Sequence, residues 1–115
     1  MLNLMEGILM NQMITELTEN ELHKMASIEI GRVAILFTSP FCGTCKVALT
    51  MLQVVQAVGV PYALYQANIN YTPYFRELWQ LRSIPALVLI HNGKVIDIVY
   101  AVQSVDSLYE KLQIH

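Results

Sequence analysis

An unbroken apolar run, Val33-Ala34-Ile35-Leu36-Phe37, lies between Arg32 and Thr38. A strand with one wet face alternates apolar and polar side chains, whereas a strand covered on both faces is apolar throughout. Residues 32–38 therefore read as a central strand with largely parallel neighbours. The period then changes. From residue 42 to about 58 the polar positions Lys46, Thr50, Gln53 and Gln56 fall on one narrow stripe, which predicts a helix buried over the rest of its surface. Gly59-Val60-Pro61 stops that helix, and residues 61–66 return as a strand.

Further on, Thr72-Pro73 starts a short helix to about residue 81, with Thr72 as cap and Pro73 in the first position. Residues 85–91 and 94–101 are strands flanking Asn92-Gly93, a strong hairpin signal. Residues 104–114 close as a helix with Val105, Leu108 and Leu112 at core spacing. Near the start, Thr18-Glu19-Asn20-Glu21 reads as a capping box opening a helix to about residue 27, with Leu22 and Met25 inward. Residues 13–17 before it form a short edge strand. The order is βαβαβαββα, an α/β fold with a central mixed sheet, its last two strands antiparallel and helices on both faces.

At 115 residues there is room for one core. No repeat, low-complexity block or linker divides the chain, so residues 12–115 read as one domain. Residues 1–11 are set apart as an N-terminal extension, expected to be flexible; four methionines among the first 13 positions leave several candidate translation starts.

Composition narrows the function classes. Apolar residues make up 55% of the chain and charged residues 14%, against about 25% charged in typical domains, a balance that excludes disorder. A net charge of -2 supplies no basic field, so neither nucleic acid nor an acidic membrane surface is an expected partner. The uncharged stretch 47–75 is interrupted by Gln53, Gln56, Gly59 and Pro61 before it reaches spanning length. The first ten residues lack the basic start and cleavage site of a secretion signal. So few charges on a small domain leave apolar surface facing a partner or a second copy.

The candidate chemistry is Cys42-Gly43-Thr44-Cys45, which holds both cysteines of the chain at the junction of the buried strand and the long helix. Backbone N–H groups and the positive dipole end at a helix start favour thiolate over thiol, which places the Cys42 pKa below the free value of ~8.5. Two intervening residues let the second sulfur reach the first, so the pair can close and open a small disulfide ring. Lys46 in the same turn adds positive potential if its ammonium faces Cys42. The same spacing suits half of a zinc site, but a second ligand pair is lacking and His23, His91 and His115 are scattered. A purely structural disulfide closing so short a loop constrains the unfolded chain little. Trp79, Tyr74 and Phe75 read as core residues at helical spacing, and Asp97 as a charge guarding an edge strand.

Two segments carry a resemblance to the thioredoxin family. Phe37-Thr38-Ser39-Pro40-Phe41-Cys42-Gly43-Thr44-Cys45-Lys46 resembles its active-site segment. Ser83-Ile84-Pro85-Ala86-Leu87-Val88-Leu89-Ile90-His91-Asn92-Gly93-Lys94 resembles its cis-proline strand and hairpin, about forty residues further along. The resemblance implies a thioredoxin fold and a protein-disulfide oxidoreductase in which Cys42 attacks and Cys45 resolves. It implies that Pro85 is cis and packs against the pair, and that the Ile84 backbone receives the substrate as an added strand. Phe41, Gly43, Thr44 and Ala101 complete the substrate-binding set it implies.

It implies no prosthetic cofactor and no metal. Its expected partners are protein disulfides and an electron donor, either a reductase or a low-molecular-weight thiol, in the cytoplasm. The chain departs from the pattern at several places: Phe41 replaces the usual Trp, Thr44 the frequent Pro, Leu36 the buried acid, Gln66 its companion lysine, Thr50 a helix proline and Ala101 a groove glycine. The rival expectation is a binding or redox-sensing module with little turnover.

Overall fold

The strand predicted at the centre occupies that place. In the computed structural model, which describes residues 13–28 and 31–114, β1 (Thr15–Glu16) and α1 (Glu19–Ala26) lead to β2 (Arg32–Thr38) and α2 (Gly43–Val58). After these come β3 (Ala63–Asn68), a 3-10 turn (Ile69–Tyr71), α3 (Pro73–Leu78), the pair β4 (Ala86–His91) and β5 (Lys94–Val99), and α4 (Val105–Lys111). The extension expected over residues 1–11 lies outside the described residues. The five strands form one sheet in the order β1-β3-β2-β4-β5. β3 runs parallel to both β1 and β2, and β4 antiparallel to both β2 and β5.

Because β2 has the sheet's third position, both of its faces need cover, and its five apolar residues are all buried. Side chains alternate across the pleat. Ala34 and Leu36 point into a core shared with Leu52 and Val55 of α2 and with Leu108 and Leu112 of α4. Val33, Ile35 and Phe37 point into a second core with Leu22 of α1, Phe75 of α3 and Val88 of β4. Burying a leucine or phenylalanine contributes about 1.5–3 kcal/mol, and the two layers of such contacts hold the helices on opposite faces.

The capping box is present: the Thr18 N–H donates to Glu21 Oε1 and the Glu21 N–H to Thr18 Oγ1. The hairpin turns at Asn92 (φ 51) and Gly93 (φ 81). There a Cβ on residue 93 would come within 2.9 Å of the Ala26 carbonyl oxygen, so this glycine is required both by conformation and by space.

Three expectations are corrected. β3 begins two residues later than expected, because its register is set by pairing with β2, Val33 opposite Ala63 through Thr38 opposite Asn68. The exposed face of α2 is wider than its polar stripe and includes Val47, Val54 and Val58. Thr72 precedes α3 but does not cap it through its side chain; its buried hydroxyl donates to the Asn68 carbonyl instead, 3.0 Å away. Of the three aromatic residues read as core, Phe75 is buried and Trp79 packs on the same cluster, whereas Tyr74 is exposed beside His23. Asp97 on the edge strand β5 pairs with Lys111 at 2.8 Å.

Candidate active site

β2 and β4 are antiparallel neighbours with Phe37 opposite Ala86. The end of one and the start of the other therefore lie at the same edge of the sheet. The loop after β2 leads into Cys42, and the loop before β4 carries Ile84 and Pro85. The ladder thus brings together two segments forty residues apart, and the Ile84–Pro85 peptide bond is cis.

Cys42 is the N-cap of α2, in extended conformation, with its N–H donating to the Ser39 carbonyl at 3.2 Å. Its sulfur does what a capping oxygen does elsewhere, accepting the Cys45 backbone N–H at 3.2 Å. The Thr44 hydroxyl stands 3.3 Å from the same sulfur. The two cysteines form a disulfide with their Cα atoms 5.2 Å apart. Cys45 is 1% exposed, whereas Cys42 is only partly covered. No acidic side chain occupies the first turn of this 16-residue helix, so nothing there offsets the dipole that favours negative charge on Cys42 once the bond is opened.

Thr44, Pro85 and Ala101, expected at the site, line one open groove of about 330 Å³ together with Val47, Tyr100 and Val102. Phe41 projects beside it, 95% exposed. Gly43 is exposed too, and a Cβ there would meet nothing within 4 Å, so its lack of a side chain is not a packing requirement. Ile84 lies on the other side of the pair, lining a separate cavity with Ser39. The sequence offered no signal for Tyr100 or Val102 beyond their place after the hairpin.

On the far side of the disulfide, Cys45 opens on a cavity of about 190 Å³ lined by Glu16, Lys46 and Gln66 among others. Lys46 therefore contributes to the Cys45 side of the centre. Leu36, where the resemblance leads one to expect an acid, is buried in the α2 core opposite Gln66 in the β2–β3 register. Gln66 has a structural task that a lysine could not fill in the same way: its side-chain amide donates to the Ile14 carbonyl at 2.7 Å and ties the edge strand to the sheet.

A half-exposed sulfur that can be displaced by a buried one three residues away can take over a foreign disulfide and then let it go as two thiols. The fold and the site thus define a thiol–disulfide exchange protein. The thioredoxin family model matches residues 13–114. A thioredoxin-like protein, YusE of Bacillus subtilis, is 38% identical over 79% of this chain and 86% of its own length. A thioredoxin of Chlamydia caviae is 32% identical over 76% and 86%. Among solved structures, a mutant thioredoxin from Halobacterium salinarum superimposes with a TM-score of 0.76 at 17% identity, covering 89% of each chain. The oxidised mitochondrial thioredoxin 3 of Saccharomyces cerevisiae does so with 0.72 at 20%, covering 86% of this chain and 92% of the other; both attest the fold.

The chain belongs to the thioredoxin family and is a thiol-disulfide oxidoreductase. Protein disulfides are its substrate class, and a reductase that restores the dithiol completes the cycle. No described helix is long and apolar enough to cross a membrane.

Proposed function

We propose that the protein reduces protein disulfides in the cytoplasm, with Cys42 as nucleophile and Cys45 as resolving thiol. The observation that carries this reading is the asymmetry of exposure within one helical turn, which leaves only Cys42 open to a substrate. The Cys42 thiolate attacks one sulfur of a substrate disulfide, and the other sulfur leaves as a thiolate that takes a proton from solvent. Cys45 then loses its proton and attacks the Cys42 sulfur, which releases the second substrate thiol and leaves the Cys42–Cys45 disulfide. Two electrons pass from the dithiol to the substrate, and a reductase or a low-molecular-weight thiol returns them.

The shared groove supports Thr44, Pro85 and Ala101 as substrate contacts. Phe41 and Gly43, exposed at the head of the helix, join them, and the Ile84 backbone receives an extended segment as an added strand. No prosthetic group enters these steps. The catalytic unit is residues 12–115, with residues 1–11 as an extension to it; the family match over 13–114 supports this division.

The test is insulin reduction with dithiothreitol as electron source. Cys42-dependent acceleration of insulin precipitation is the expected result. A protein that binds partners without accelerating it is instead the binding or sensing module.

A further inference from the structure

Beside the cysteine pair, on the side away from the Thr44–Ala101 groove, lies a cavity of about 220 Å³. One wall is Ser39, in the loop whose carbonyl holds the Cys42 N–H, and another is Ile84, in the loop facing the pair. The remaining walls include Asn70, Arg76 and Arg82. Thus two of the three arginines of a chain with net charge -2 line one cavity next to the reactive sulfur. No described acid lines it, and neither guanidinium forms an ion pair among the described residues.

Arg82 is also held in place. Its guanidinium carbon sits 5.4 Å from the centre of the Tyr100 ring. Its backbone N–H donates to the Tyr100 hydroxyl, which donates in turn to the Gln80 carbonyl. The tyrosine that lines the substrate groove thus also braces the cationic cavity. A guanidinium offers a fixed fork of donors that matches a carboxylate, and stacking on an aromatic face reduces the freedom it must lose on binding. Ser39 and Asn70 place a hydroxyl and an amide on the same walls.

We propose that this cavity binds a carboxylate of the substrate, an Asp or Glu side chain flanking the disulfide under attack, and so gives the enzyme a preference for acidic disulfide segments. The inference rests on the oxidoreductase reading and specifies its substrate class. An extended segment laid along Ile84 advances about 3.3 Å per residue, which places side chains a few residues from the attacked cysteine over the cavity.

The test uses the reduced full-length protein and short peptides whose single cysteine is capped as a mixed disulfide with 2-thiopyridine. Cys42 attacks the peptide sulfur, and the thiopyridone that leaves reports the rate. The peptides carry Glu, Gln or Lys at each of the positions flanking the cysteine. At one or more positions the Glu peptide is expected to react about 5- to 10-fold faster than its Gln counterpart, with Lys slowest and the preference shrinking as salt rises.

Arg76→Gln and Arg82→Gln are each expected to reduce the Glu-to-Gln ratio by about two- to threefold, and Arg82→Lys to restore part of it. Equal rates for Glu and Gln peptides at every position overturn the proposal. So does a preference that survives the double substitution. Absence of thiopyridone release from every peptide overturns the exchange reading itself, and the cavity's role with it.

Discussion

The backbone N–H of Cys45 points at the sulfur of Cys42, 3.2 Å away, so the buried cysteine's own amide caps the exposed one's side chain. When the disulfide is opened, the same amide remains to stabilise a thiolate on Cys42, and the helix dipole acts in the same sense. In single-cysteine variants, Cys42 is expected to react with iodoacetamide at markedly lower pH than Cys45 does. Mass spectrometry of the alkylated product across a pH series checks this; equal profiles would remove the assigned division of labour.

Phe41 makes the complementary case, since a ring that is 95% exposed contributes next to nothing to the core. Phe41→Ala should therefore leave the unfolding free energy within about 0.5 kcal/mol of the parent. It should also raise the KM for insulin several-fold with little change in kcat, because an apolar anchor beside Cys42 is lost. Parallel denaturation and steady-state measurements separate the two effects. A change in kcat alone would mean that Phe41 acts on the sulfur chemistry.

Leu36 sits 1% exposed on the α2 face of β2, opposite Gln66, which lines the cavity next to Cys45. Leu36→Asp would place a carboxyl on that face, at a cost of about 3–5 kcal/mol from the lost leucine packing and the buried polar group. It would also supply a proton acceptor near the thiol that must ionise in the resolving step. Single-turnover resolution near neutral pH should therefore accelerate under conditions where both proteins remain folded. An unchanged or slower step would mean that proton removal from Cys45 does not limit the reaction.

The capping box of α1 gives the chain one readable acid dependence. A hydrogen bond from the Thr18 backbone N–H, and then the Thr18 hydroxyl, hold the Glu21 carboxyl below its ordinary value of 4.5. A carboxyl depressed in the folded state adds stability above its unfolded pKa, and this is lost as pH falls through the folded value. Glu21→Gln should therefore lower the urea midpoint slightly at neutral pH, with the difference disappearing below about pH 4. Urea titrations of both proteins across that range test the sign. A gap that widens in acid would place the effect elsewhere.

The features legible in the sequence are those fixed by neighbours in the chain. The apolar run 33–37, the Thr18–Glu21 box, the Asn92-Gly93 turn and the cysteine spacing each carry their own conformational cause, and each element formed where it was expected. What was not legible depends on pairing across the fold. β3 slid by two residues because β2 sets its register, and Thr72 turned its hydroxyl back to Asn68 because the 3-10 turn before it left that carbonyl within reach. The exposed valines of α2 break the rule that apolar means inward. The arginine cavity has no local signature at all, since Ser39, Arg76 and Arg82 meet only through the tertiary fold.

The two halves of the active site differ in how they are held. Cys42 and Cys45 are neighbours by virtue of three residues of chain, so the ring between them can close in a chain that has lost its tertiary structure. Pro85, Tyr100 and Ala101 reach the groove only through the β2–β4 ladder and the hairpin beyond it. An unfolded copy would thus remain a competent thiol reagent but an indiscriminate one. For this protein, conformational stability protects the choice of partner more than it protects reactivity, and a destabilised variant would be expected to err by reducing the wrong disulfides before it ceased to reduce any.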